Sequence, residues 1–489
     1  MPDIDTLGKK LESRDAEERR EAAVDLGRAG AEAVPLLFRA LADGDWRVRK
    51  TAVEALVAIN GEDVTAGLIR SLSTHDNAGA RNSAIEALIR IGGGAVEALL
   101  PELETPDADV RKFIVDILGD IRDPGAVPAL IDRLEDKDEN IRVAAAEALG
   151  KIRDRRAVDA LIGCLARYDQ GWLDYAAAES LGEIGDERAL GPLLSALGRS
   201  SLREPVLEAL GKIGNAGTIA PLVASLADPL RIVREVSTIA LAAIHRKTPP
   251  NERGTIVEAA RRGMSDRAVD FLEETLITSD GELQKAAIVL LGWTGRESSI
   301  RKLLDLLKEE ELEDTVAQSL KFLDRGAADF LLPYLSRDNA LVRRTVARVL
   351  GDIGYEGAEG SLLPLLEDEN GHVRKTAAET LGRMKSVRSV PRLLGLLEDE
   401  YEDVQESAIR ALAAIGDESM LDGLIQRFSS RDAFMRRNIA LLLGKFTTKK
   451  AVEALAFALK DEEPDVRKAV VEALGSTPHP QAIRALLLA

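Results

Sequence analysis

Apolar positions in this chain fall on a helical period, and the helices themselves recur at a longer one. Between Gly125 and Glu135 the apolar residues Val127, Leu130, Ile131 and Leu134 are spaced by three and four, which predicts an amphipathic helix, here called helix A. Pro128 lies in its first turn, where a missing N–H costs little. Asp136 to Glu139 predict a polar turn. Helix B then runs from Asn140 to Ile152 and buries Ile141, Ala145, Ala148, Leu149 and Ile152.

The stretch Asp138–Arg153, DENIRVAAAEALGKIR, is the cleanest copy of a segment that returns about every 31 residues. Its arginine recurs as Arg19, Arg49, Arg81, Arg111, Arg142, Arg203, Arg234, Arg343, Arg374, Arg436 and Arg467. Asp174, Gln284, Glu313 and Gln405 take its place in four further units, about fifteen in all. A period of this length predicts one helix pair stacked many times, because neither helix can hide its apolar stripe alone.

Asp or Asn stands four residues before the arginine at Asp15, Asp45, Asn77, Asp107, Asp138, Asn370 and Asp432. There it can cap the first N–H groups of helix B while the guanidinium reaches a carboxylate in its own or the next unit. The arginines are therefore expected to form a structural ladder, and stranding a carboxylate by removing one is expected to cost about 3 kcal/mol. The glycine ending the ALG triplet or its variants (Gly119, Gly150, Gly182, Gly211, Gly351, Gly382, Gly444, Gly475) is expected to allow close backbone approach. A second glycine, at 185, 214, 354 and 416, reads as a helix C-cap.

These residues, D-x-x-V-R-x-x-A-A-x-A-L-G-x-I-G-D, resemble the HEAT repeat, in the bacterial form found in phycobilin-lyase-like proteins. The resemblance runs from about residue 3 to 488. It implies an all-α fold, a right-handed α-α superhelix or HEAT-repeat solenoid of about fifteen helix pairs, with helix B on the concave and helix A on the convex side. Families with this repeat serve as scaffolds, adaptors and lyases, so the motif specifies fold more narrowly than function.

The period breaks between Arg234 and Gln284, where HRKTPPNERG holds Pro249 and Pro250 and ERGTIVEAARRGM predicts an additional helix. The expected organisation is an N-terminal array (1–246), a proline-containing junction (247–264) and a C-terminal array (265–489). Residues 3–12 suit a solvent-facing cap. The terminal QAIRALLLA is a helix A with no helix B after it, so its apolar stripe either packs back on the preceding pair or supports self-association.

Apolar residues make up 45% of the chain and aromatics only 3%, so the core must consist of Ala, Leu, Val and Ile. A net charge of −18 argues against nucleic acid as the partner, since phosphate binding needs clustered Lys and Arg. Cys164 is the single cysteine, which excludes an internal disulfide. The N-terminal segment lacks the apolar core of a signal peptide, and no run approaches a membrane span. A soluble cytoplasmic protein without membrane insertion is the expectation.

Candidate chemistry is sparse. The histidines are His75, His245, His372 and His479, none three or four residues from another and none followed by Glu. Deoxyhypusine hydroxylases, which resemble this chain in scaffold, bind two irons through His-Glu pairs; their lack here disfavours a metal oxygenase. A single thiol gives no zinc spacing. The clusters Gly92-Gly93-Gly94 and Gly357/Gly360 resemble phosphate loops but fall in repeat turns without the Lys-Ser/Thr that would follow. Cys164 takes a position that is apolar elsewhere. No nucleophile stands with a base and an orienting group, so we expect no catalytic residues, no metal and no cofactor.

Surface candidates come from the register. With helix B facing inward, residues one and five after the arginine position line the groove, as in the pairs Lys50/Glu54, Lys112/Asp116, Lys375/Glu379 and Lys468/Glu472. The sixth unit, YDQGWLDYAAAESLGEIGDE, differs. It brings Tyr168, Trp172 and Tyr175 together around Asp174, in a chain with Trp 3 and Tyr 5. Glu147, Glu179, Glu208 and Glu235 make the nearby groove acidic, whereas Arg344, Arg348, Arg410 and Arg437 make the later groove basic. Either Trp172 and Tyr175 fill space left by the missing arginine, or they anchor a partner in the manner of interface hot spots. The reading is a non-enzymatic protein-interaction scaffold or adaptor. Its protein partner would carry basic and then acidic patches, contacting Tyr168, Trp172, Asp174, Tyr175, Glu179, Glu208, Arg344 and Arg348. The W-x-x-x-A-A-x-E-S-L-G unit also resembles HEAT-repeat proteins associated with bacterial chemosensory signalling. The alternative is a phycobilin-lyase-like protein or chaperone acting on a tetrapyrrole-carrying partner.

Overall fold

The computed structural model describes residues 3–74, 76–167, 171–308 and 310–487. The chain forms two compact units, Met1–Pro249 and Pro250–Ala489. Among the described residues both units are helical and contain no strand.

Each repeat is a helix pair, and local chemistry explains where its helices begin. In the reference unit Asp123 accepts a hydrogen bond from Gly125 N at 2.7 Å and starts a 3-10 turn, Pro124–Ala126. This turn feeds the α-helix Val127–Arg133, so helix A is shorter than its apolar pattern suggested. Asp138 caps helix B, Glu139–Ile152, by accepting from Asn140 N at 2.8 Å. Asp15, Asp45, Asn77, Asp107, Asn370 and Asp432 cap their helices in the same way.

Successive B helices pack closely on one another. A Cβ added at Gly119 would sit 2.8 Å from the Cα of Ala148 in the next B helix, and one at Gly382 would sit 2.7 Å from that of Ala411. Gly475 differs, for a Cβ there would meet nothing within 4 Å. Gly185, Gly354 and Gly416 end helices in the left-handed region, but Gly214, read as a similar cap, has φ −55 and continues extended.

The periodic arginines form rungs between neighbouring turns. Arg343 donates from Nε and NH2 to both oxygens of Asp368 at 2.7 Å, and from NH1 to the carbonyls of Arg337 and Asp338 in its own turn. Asp368 in turn accepts from Asn370 N, while its carbonyl accepts from Arg374. Arg374 then grips Asp399. Arg111–Asp136, Arg203–Asp228 and Arg436–Asp461 are ion-paired across the same 25-residue offset, and Arg19–Asp43 across 24. Each aspartate thus ties two repeats together through charge-assisted hydrogen bonds, buried at Arg111, Arg343, Arg374 and Arg436 and partly exposed at Arg19 and Arg203.

The ladder is not continuous. Arg49, Arg142, Arg234 and Arg467 donate to carbonyls of their own turns, and Arg81 lies 5.0 Å over the Phe113 ring. The sequence explains the interruption, since Thr74, Pro106 and Arg167 stand where the rung aspartate would follow Arg49, Arg81 and Arg142.

In the first unit the last B helix, Arg231–Lys247, is the longest of its layer. The additional helix, Arg253–Gly263, belongs to the second compact unit and packs on Gly281–Thr294. The chain changes unit between Pro249 and Pro250. The final helix, Pro480–Leu487, packs back on the pair before it and buries Ala482, yet leaves Ile483 and Leu487 exposed.

Candidate interaction surface

The helix Trp172–Ile184 lacks the arginine, and the structure shows what replaces it. Asp174, only 1% exposed, accepts a hydrogen bond from Arg199, which also donates to the Leu165 carbonyl at 3.1 Å. Arg199 lies 25 residues after Asp174, the offset at which the rung aspartate follows the arginine elsewhere. The rung is therefore kept with its charges exchanged. Trp172 therefore does not fill a gap: the Asp174–Arg199 pair occupies the rung and Trp172 is 71% exposed, whereas Tyr175 is half-buried.

Trp172 and Tyr175 form an edge-to-face pair with ring centroids 6.0 Å apart. Tyr168 lies outside the described residues. Tyr175 is half-buried, and burial, followed by the charges of Glu179, Glu204 and Glu208, pushes its hydroxyl above the usual range. Burial and then Glu208 push the Glu179 carboxyl up as well. Glu183, next along the same helix, is held below its ordinary value by Lys212 at 2.7 Å and by Arg153. Arg231 neutralises Glu235 at 2.7 Å.

In the second unit Arg344, Arg348 and Arg410 are paired with acids, so the groove around them is charge-balanced where the sequence suggested a basic one. Arg344 is bound by Glu313, and Arg348 reaches Asp314 at 3.0 Å and Glu313 at 3.3 Å. Glu313 is the residue that replaces the periodic arginine; it turns onto this face and also accepts from the Thr345 hydroxyl. Asp352 holds Arg383 at 2.6 Å and Lys321 at 3.0 Å, and Glu379 lies 3.6 Å from Arg410. Glu313, Arg344, Arg348, Asp352, Glu379 and Arg410 border a cleft of about 510 Å³. Lys112 and Asp116 pair at 2.8 Å along one helix, but Lys375 pairs with Asp403 on the next helix at 3.2 Å.

Two partners escaped the sequence reading: Arg199, whose 25-residue offset from Asp174 was the available signal, and Glu204, one residue after Arg203. Cys164 is buried, and burial pushes its thiol up to about 11, so it is an unreactive packing residue. His75 lies outside the described residues. Among the described residues no three His, Cys, Asp or Glu side chains converge as a metal site, and no helix is long and apolar enough to cross a membrane.

Known proteins resemble the chain in its repeat. The HEAT repeats family model matches residues 4–89, 96–173, 169–242, 328–413 and 421–489. No curated protein matches with significance. Among solved structures, that of Kap95p with RanGDP is similar over 99% of this chain and 74% of its own, at 12% identity and a TM-score of 0.50. Importin beta matches over 99% and 78%, at 13% identity and 0.44. The CpcE–CpcF phycocyanin lyase of Nostoc sp. PCC7120 matches over 53% of this chain and 93% of its own, at 24% identity and 0.31. At these identities the likeness concerns the fold. With the family model covering most of its length and the helix pairs stacked as described, the chain belongs to the HEAT repeats family.

Proposed function

We propose that this protein is a non-enzymatic scaffold that holds a protein partner on the faces formed by its B helices. The observation that carries the reading is Trp172: it is exposed, leans on Tyr175, and lies outside the Asp174–Arg199 ion pair that takes the place of the rung. A large aromatic side chain left in water beside a rigid neighbour is the usual anchor of a protein interface. HEAT solenoids suit such work because stacking consumes the inner positions of each helix and leaves the others free to vary. The resemblance of the Trp172–Gly182 unit to chemosensory-associated HEAT proteins makes a bacterial signalling assembly the setting we favour, in the cytoplasm.

The test compares the proteins retained from native extract by the wild type and by the Trp172→Ala/Tyr175→Ala double variant. The expected result is loss of a defined partner in the variant, with the melting temperature lowered by no more than about 4 °C, since Trp172 is exposed and Tyr175 only half-buried. Retention of the same proteins by both forms would remove the reading.

A further inference from the structure

Four consecutive B helices, Glu139–Ile152, Trp172–Ile184, Arg203–Ile213 and Arg231–Lys247, share an acidic stripe. At the positions one and five after the rung residue they carry Val143 and Glu147, Tyr175 and Glu179, Glu204 and Glu208, and Glu235 and Ile239, with no lysine or arginine. The fold does not demand this, since the same positions hold Arg344 and Arg348 in Ala340–Ile353. Nor is the acidity neutralised from within. Lys212, whose charge favours ionised Glu179, is hydrogen-bonded to Glu183, and Arg231 pairs with Glu235. Glu147, Glu179, Glu204 and Glu208 take part in no ion pair among the described residues. In the second unit, by contrast, Glu313, Asp352 and Glu379 each meet an arginine.

Beside this unneutralised stripe stands the exposed Trp172–Tyr175 pair, whose ring faces attract cations. Aromatic faces and uncompensated carboxylates on adjacent helices are complementary to one class of side chain. We propose that this surface binds an extended polypeptide segment rich in lysine or arginine. One cationic head sits against Trp172 and Tyr175, and its neighbours lie between Glu179 and Glu208. Such a segment removes the repulsion between those carboxylates and covers the indole. This assignment rests on the scaffold reading and specifies its partner chemistry.

The experiment titrates the full chain with a fluorescent lysine- and arginine-rich peptide of about 12 residues, long enough to cross three or four B helices, and with a glutamate-rich peptide of equal length. The cationic peptide is expected to bind, with affinity falling about tenfold or more as salt is raised from about 50 to about 300 mM. Trp172→Ala is expected to weaken it about fivefold or more through loss of the aromatic contact. Glu179→Gln/Glu208→Gln is expected to weaken it about tenfold or more, because the opposing charges are gone. Because the whole chain is acidic, Glu32→Gln/Glu97→Gln, which removes two exposed charges from the A-helix side, serves as the control and should leave binding unchanged. Equal binding by all variants, or equal binding of the glutamate-rich peptide, overturns the proposal. If the cationic peptide fails while a native partner still depends on Trp172, the chemistry assigned here is wrong and the scaffold reading survives; if both fail, both fall.

Discussion

Asp174 and Arg199 are ion-paired between neighbouring turns at the same 25-residue offset as Arg111 and Asp136, with the charges exchanged. Because the pair is buried, either single reversal places two like charges together out of water. Asp174→Arg and Arg199→Asp are each expected to destabilise the first unit by about 3–5 kcal/mol. Asp174→Arg/Arg199→Asp restores the orientation used by the other rungs and should recover most of that loss. A double-mutant cycle from urea unfolding midpoints checks this. A double variant as unstable as either single one would show that the reversed polarity is required locally.

The rungs differ in how much they hold. Arg374, 8% exposed, grips both oxygens of Asp399 and the carbonyl of Asp368, whereas Arg467 donates to the carbonyls of Asp461 and Glu462. Arg374→Ala leaves a buried carboxylate without its counter-charge and should cost about 3 kcal/mol. Arg467→Ala removes hydrogen bonds at a less buried site and should cost about 1 kcal/mol. Thermal midpoints of the two variants, measured side by side, test the ranking; equal shifts would mean that the aspartate is not what gives the rung its strength.

Much of this architecture could be read from the chain before any coordinate. The 3–4 spacing of Val127, Leu130, Ile131 and Leu134 placed helix A, and Asp138 placed the start of helix B, because both signals are local. The rung partners were harder. Asp43, Asp136 and Asp368 lie 24 or 25 residues from their arginines, and turn aspartates are common enough for other reasons that one sequence does not single them out. The groove was misread where charge depends on pairing: Arg344 and Arg348 look like a basic patch until Glu313, 31 residues before Arg344, turns to meet them. Trp172 was visible as an oddity, but its exposure was not, since composition cannot tell a gap-filler from an anchor.

Glycine gives a contrast within one motif. Gly382 and Gly475 occupy equivalent places at the ends of their B helices, yet a Cβ at the first would press on Ala411 and at the second would meet open space. Gly382→Ala should therefore force the helices apart at a cost of about 1–3 kcal/mol. Gly475→Ala should stabilise by about 0.5–1 kcal/mol, because alanine loses less backbone entropy in a helix. Opposite signs in the two melting temperatures are the expected outcome; a loss at both would mean that the last pair is packed as tightly as the interior.

Acid should act on the two kinds of carboxylate in opposite directions. Burial works against ionisation at Asp43, Asp136 and Asp399, but hydrogen bonds from Arg19, from the Asp138 N–H and Arg111, and from Arg374 outweigh it. At Asp461 the Arg436 hydrogen bonds dominate. All four carboxyls sit below their ordinary values, so their stabilisation is present above the unfolded pKa of about 4 and is lost as pH falls through the folded values. Glu179 is displaced upward, by burial and then by Glu208, so its ionised form is a liability that grows as pH rises through its folded value. The melting temperature of the wild type is therefore expected to fall steeply below about pH 4, and more gently in Arg374→Ala/Arg436→Ala, where two of the depressed groups have lost their partners. Glu179→Gln should melt higher than the wild type at neutral pH and converge with it near pH 4, where the wild-type side chain is already protonated. A constant offset between those two curves at every pH would mean that the carboxylate carries no penalty in the free protein.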